Sequence, residues 1–95
     1  MNYKHKLPLE LAAQASSLAE FANGGAQCHA ELRDGSVHAG LLISGATAII
    51  AMRGHTSLPF PVESIARLFQ MGEDRNPVQR GGWDYFDVWS HDKSA

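Results

Sequence analysis

The sequence predicts a mostly β domain with one N-terminal helix: a strongly bent, five-stranded small barrel plus an extra C-terminal strand. Three observations predict it. Apolar residues recur at helical spacing through the first quarter of the chain, and an Asp-Gly turn joins two alternating stretches in register. Further short apolar runs then follow, punctuated by glycine and proline.

The helix is predicted over about 8–22. Pro8 suits a first helical turn, where its missing N–H costs nothing, and Glu10 complements the positive helix end. Leu7, Leu11, Ala15, Leu18 and Ala22 form the apolar stripe, Phe21 flanks it, and Asn23-Gly24-Gly25 supplies the stop.

The barrel is predicted over about 26–70, beginning with a hairpin. Asp34-Gly35 tolerates the positive φ of a two-residue turn. Folding there sets Leu32 opposite Val37, Glu31 opposite His38 and Cys28 opposite Leu41. Ala26, Cys28, Ala30 and Leu32 then share one face with Val37, Ala39, Leu41 and Ile43. A second turn at Ser44-Gly45 leads into Ala46–Met52, apolar on both sides. A two-residue loop puts Ala48, Ile50 and Met52 on the core face and Ile49 beside Leu42 on the other, where the N-terminal helix is expected to cover them. Leu58, Phe60 and Val62 alternate with Pro59 and Pro61, and Ile65–Gln70 is a further short strand. Two prolines lacking N–H groups on the same strand edge allow Leu58–Val62 to pair on one side only. Residues 71–95 form an extension: a polar, turn-rich stretch to Gly82, then a strand from Trp83 to Ser90.

The 95 residues provide one domain, 1–95, and 44% hydrophobic with 19% charged residues is a globular balance. No apolar run approaches the ~18 residues of a membrane span. Glu10, Gln14 and Glu20 interrupt the segment after Lys4 and Lys6, so no signal peptide is read there. The lone Cys28 has no internal disulfide partner, which fits a reducing compartment, and a cytoplasmic location is expected.

Leu32, Asp34, Gly35 and Gly40 in the pattern L-x-D-G-x-x-x-x-G, then Ile49-Ile50, then Glu63-Ser64-Ile65-Ala66-Arg67-Leu68-Phe69, resemble the Sm-like small barrels, bacterial Hfq in particular. The resemblance spans Leu7 to Phe69 and implies the bent five-stranded barrel. In that family a polar pair after the second glycine frames an RNA site; here Ala46, Thr47 and Ala48 stand there. The family's Lys-His pair reads Glu63-Ser64. Sm-like subunits also form rings by pairing their fourth and fifth strands, an edge that Pro59 and Pro61 obstruct. The chain also resembles, through Glu31-Leu32-Arg33-Asp34-Gly35 and Val62-Glu63-Ser64-Ile65-Ala66, the Rof-type inhibitors of the termination factor Rho, which are acidic and act by binding protein.

No catalytic, metal or cofactor constellation emerges. Cys28 and His29 are adjacent on a strand and point to opposite faces, so they cannot share a tetrahedral metal site. Glu31 and His38 read as a cross-strand pair. No nucleophile elbow or phosphate loop is present, and the protein is not expected to be an enzyme. The most unusual stretch is Trp83-Asp84-Tyr85-Phe86-Asp87-Val88-Trp89. It reads first as a closing strand whose aromatics fill an alanine-rich core. Its second reading is a protein-binding strip of Trp83, Tyr85 and Trp89, with Leu42 and Ile49 as further contact candidates. Net charge is −2, which disfavours nucleic acid. The alternative, an Sm-like RNA binder, would use Lys4, Lys6, Arg33, Arg53 and Arg67. The expectation is therefore a non-enzymatic module that binds an unidentified protein partner, with no cofactor and no membrane, as a monomer or dimer and not a closed ring.

Overall fold

The computed structural model describes residues 3–21, 24–78 and 82–87. In chain order it has helix α1 (Leu9–Ala15), strands β1 (Gly25–Leu32), β2 (Val37–Ser44) and β3 (Ala48–Met52), and a 3-10 turn at Val62–Ser64. Strand β4 (Ile65–Phe69) and the short helix α2 (Gly72–Arg75) complete the order. The strands form one antiparallel sheet in the order β3-β2-β1-β4. The architecture is thus mostly β behind one N-terminal helix. It is an open four-stranded sheet among the described residues, where a five-stranded barrel was expected.

The missing strand is Leu58–Val62. Phe60 and Val62 bury their side chains while Pro59 and Pro61 stay exposed, as the alternation predicts. Yet this segment joins no ladder before it tightens into the 3-10 turn. Two prolines remove the N–H groups that one edge would donate. The expected C-terminal strand is likewise reduced among the described residues. Tyr85 makes a single bridge to Ala51 and the Phe86 amide donates to the Ile50 carbonyl at 2.7 Å; residues 88–90 lie outside the described set.

Helix α1 is shorter than the apolar stripe predicts. The Ser16 and Ser17 hydroxyls donate to the carbonyls of Ala13 and Gln14 at 2.7 and 2.8 Å, taking acceptors at the helix end. Ala22 and Asn23 lie outside the described residues. Leu7, Leu11 and Ala15 pack into the main core with Cys28, Ala30, Leu41, Ile43, Ile49 and Met52. The helix therefore closes the inner face of the sheet. The opposite face is covered by Trp83, with Tyr3 and Phe21 packed alongside Leu42, Ala48, Ile50 and Ala51.

Two bulges and one turn explain where the register departs from expectation. Cys28 faces Leu41 as predicted, but Ala30 faces His38 and Glu31 faces Val37. The extra residue lies in β2 at Ala39-Gly40, where Gly40 adopts φ +75°. That single insertion turns Val37 and Ala39 to solvent and brings His38 to the core edge, its ring 4.9 Å from Phe60. At the next turn Ser44 pairs with Ala48 across a three-residue loop, not a two-residue one. The changed parity sends Ile49 inward and Ala48 outward. A bulge at Ile50 then restores the expected face for Met52, opposite Leu41.

Both bulges are local irregularities of the kind that bend a sheet. The outer edge of β3 is occupied by the chain itself. Lys6 bridges Ala48, the Ile49 amide donates to the His5 carbonyl at 3.0 Å, and Tyr85 bridges Ala51. No helix among the described residues is long and apolar enough to cross a membrane.

Candidate functional site

The outer face of the sheet carries a polar network that the sequence pattern does not announce. Alternation along β1 sends Gln27 and His29 outward while Cys28 and Ala30 point to the core. Helix α2 lies over them, in the stretch expected to be polar and turn-rich, and contributes Asp74, which is only 1% exposed. Its carboxylate is met by three groups. Gln27 Nε2 donates to Oδ1 at 2.9 Å, the Met71 amide donates to Oδ2 at 2.9 Å, and His29 Nδ1 lies 2.7 Å from Oδ2. A buried carboxylate needs such compensation, because stripping its hydration is otherwise costly. Because the carboxylate accepts, the proton between it and the imidazole is assigned to Nδ1.

Asp74 thus pins residues 71–78 as a strap across the outer face. Between strap and sheet lies a cleft of about 430 Å³, lined by Gln27, His29, Ala39, Gly40 and Arg53 on one side and Glu73, Asp74, Pro77 and Val78 on the other. The Gly40 bulge shapes its floor. A Cβ added there would fall 2.9 Å from both Cβ and Cγ of Arg53, so only glycine admits the Arg53 stem over β2. The Arg53 amide donates to the Gly40 carbonyl at 2.9 Å, and its guanidinium carbon sits 3.8 Å from the centroid of the Trp83 ring. The His29 ring lies 5.2 Å from that of Phe69 on β4. Val78, at the mouth, is 98% exposed.

Beneath the network, Cys28 faces the core. Burial pushes its thiol up to about 12, and the Asp74 charge adds to the shift, so it stays protonated at neutral pH. Cys28 and His29 take opposite faces, as the strand geometry requires, and no three-residue metal-ligand group is found among the described residues.

The structure disperses the candidates from sequence. Leu42 and Ile49 are both fully buried, on opposite faces of the sheet, and offer no surface. Trp83 is 7% exposed and serves as outer-face core; its indole Nε1 is buried with no hydrogen-bond partner among the described residues. Tyr85 is 43% exposed and does not share the Trp83 environment. Trp89 lies outside the described residues.

The five cations do not form one patch. Lys6 sits beside β3, and the neighbouring Lys4 amide donates to Asp87 at 2.9 Å. Arg67 is on the opposite edge strand, paired with Glu31 at 2.6 Å and stacked over Phe69. Arg33 donates to the Glu63 carbonyl at 3.1 Å and lines a second cleft, of about 290 Å³, between α1 and β4. Glu31 is thus the partner of Arg67; the bulge moved it away from His38. Sequence reasoning missed the Asp74 cluster because Asp74 lies in a polar, turn-rich stretch. The available signal was the outward, polar Gln27 and His29 on a strand whose inward residues are apolar.

No family model, curated protein or solved structure matches the chain.

Proposed function

We propose that this chain is a non-enzymatic binding module of the Sm-like type that works through protein contact, as a regulatory or accessory component. The observation that carries this reading is the strap-and-sheet cleft. It is a preformed concavity with polar groups of both signs inside and the nearly fully exposed Val78 at its mouth. Met71 and Tyr85 add exposed apolar area on the same chain, and exposed aromatic and Met side chains suit protein interfaces. The dispersal of Lys4, Lys6, Arg33, Arg53 and Arg67 weighs against a nucleic-acid surface, which depends on clustered cations.

A monomer or dimer is proposed in place of a ring. Leu58–Val62 forms no strand, and residues 5–7 and 85–86 already cover the edge of β3. An added subunit has no open β3 edge to extend.

The test is affinity recovery of the tagged chain from its own cells with nuclease treatment, alongside a Met71→Asp/Tyr85→Ser variant. A nuclease-resistant partner that the variant loses supports protein contact. Recovery of nucleic acid alone, or of partners that vanish with nuclease, overturns it. Light scattering at two salt concentrations checks the assembly; a hexamer or heptamer would overturn the proposed state.

A further inference from the structure

A sheet edge that no strand covers is a template for another chain, and folded proteins close such edges by other means. The sheet here ends in β3 on one side and β4 on the other. The β3 edge is met by backbone: Lys6 and Tyr85 form bridges to it, and the Ile49 amide donates to the His5 carbonyl. No described strand lies beyond β4. Its edge is met instead by two glutamine side chains that reach across in opposite directions.

Gln14 projects from α1, and its Oε1 accepts the Leu68 N–H at 2.8 Å. Leu68 sits opposite Ala30 in the β1–β4 pairing but does not donate to β1, so its N–H is one that the carbonyl of a further strand would accept. Gln70 follows β4 and reaches the connector between α1 and β1. Its Oε1 accepts the Ala19 N–H at 2.9 Å, and its Nε2 donates to the Ala19 carbonyl at 2.9 Å and to the Gln27 carbonyl at 2.8 Å. A carboxamide offers an acceptor oxygen and N–H donors, as a peptide unit does. The two glutamines therefore do at this edge what a further strand's backbone would do, without a ladder.

Strand β4 is also complementary to itself. Pairing two copies antiparallel about Leu68 lets each Leu68 N–H donate to the Leu68 carbonyl of the other. That register sets Arg67 opposite Phe69 of the second copy. The two residues already stack within one chain, the guanidinium carbon 4.4 Å from the ring centroid. The same register keeps the two Arg67 charges from lying directly opposite each other, which would be unfavourable.

We propose that Gln14 and Gln70 form an edge closure that keeps the chain from pairing through β4 with a second copy of itself. Releasing them exposes a dimerisation edge. The occupant of the opened edge is a second β4 strand, antiparallel and centred on Leu68. The inference concerns the sheet edge, not the cleft, and does not rest on the protein-contact reading.

The test compares the native chain with Gln14→Ala/Gln70→Ala, using light scattering across a concentration series and amide hydrogen exchange. Removing the Gln14 acceptor should speed exchange of the Leu68 amide about tenfold at low concentration, with the β1 and β2 amides unchanged. The double variant should then dimerise at a concentration at least about tenfold lower than the native chain. Its Leu68 amide should regain protection as the dimer forms. Gln14→Glu keeps an acceptor and should stay closed, whereas Gln70→Glu loses both donated bonds and should open. Gln14→Ala alone, a favourable change within a helix, carries both readouts if the double variant does not fold. A folded variant that keeps the native mass at every concentration overturns the inference. So does assembly beyond a dimer, or a dimer in which the Leu68 amide stays unprotected. Equal Leu68 exchange in the native chain and Gln14→Ala overturns it as well. None of these outcomes bears on the partner-recovery experiment, which alone decides the protein-contact reading.

Discussion

The two faces of one sheet are stabilised by different means. The inner face is aliphatic: Leu41, Ile43, Ile49 and Met52 meet Leu7, Leu11 and Ala15 of the N-terminal segment, and none of these side chains carries a hydrogen-bond donor. The outer face mixes Leu42, Ile50 and Trp83 with the buried Gln27–Asp74–His29 network and the Arg53–Trp83 stack. Close packing without polar partners tolerates apolar residues of similar volume. A buried carboxylate accepts only groups placed to donate to it, and thereby dictates where α2 lies. The inner face supplies cohesion, and the outer face supplies a shaped, chemically selective opening.

The largest expected effect belongs to the inner face. Ile49→Ala should cost about 3 kcal/mol in a denaturant titration, since a fully buried aliphatic leaves a cavity; a loss below 1 kcal/mol would show that the inner face is loosely packed. On the outer face, Asp74→Ala leaves Gln27 and His29 with unmet donors, and should cost about 2 kcal/mol. It should also raise hydrogen exchange across residues 71–78. An unchanged exchange pattern would break the contrast by showing that the strap is held by something else.

Gly40→Ala comes next, at about 2 kcal/mol, from a positive φ and a clash with the Arg53 stem. Trp83→Phe sharpens the contrast differently. It removes an indole N–H that is buried without a partner, offsetting lost ring area, so the net change should stay within about 1 kcal/mol. A larger loss would mean that the indole nitrogen has a partner in solution.

The smallest effect is a titration. The Ser36 hydroxyl and then its amide hold the Asp34 carboxyl below its ordinary range. A depressed folded-state value contributes stability that is present above the unfolded pKa and lost as pH falls through the folded one. Ser36→Ala should therefore flatten slightly the acid limb of a stability-against-pH curve. An unchanged limb would mean that the turn makes no contribution there.

Much of the framework was legible along the chain. The helix at Leu9–Ala15, the hairpin about Asp34-Gly35, the pairing of Cys28 with Leu41 and the strand at Ile65–Phe69 all follow from local pattern. Period, turn chemistry and capping act between near neighbours, so one stretch of sequence holds the information. Burial of Phe60 and Val62 was equally readable from their alternation with proline. The candidate site was not. Gln27 and His29 are visible as outward polar residues, but Asp74 is separated from them by more than forty residues and lies in a stretch with no apolar period.

What the sequence by itself determined is helix α1, the strands β1 to β4 and the Asp34-Gly35 turn, and that Cys28 and Ala30 face inward while Gln27 and His29 face outward. Only the tertiary structure decided the bulge at Ala39-Gly40, the three-residue turn before Ala48 and the bulge at Ile50. Each shifts a strand by one position, and a shift by one exchanges its two faces; that parity depends on how the whole sheet closes on α1 and Trp83. The meeting of Asp74 with His29 was decided in the same way. A buried carboxylate finds its donors only once distant strands and the strap have been brought together by the packing of everything else.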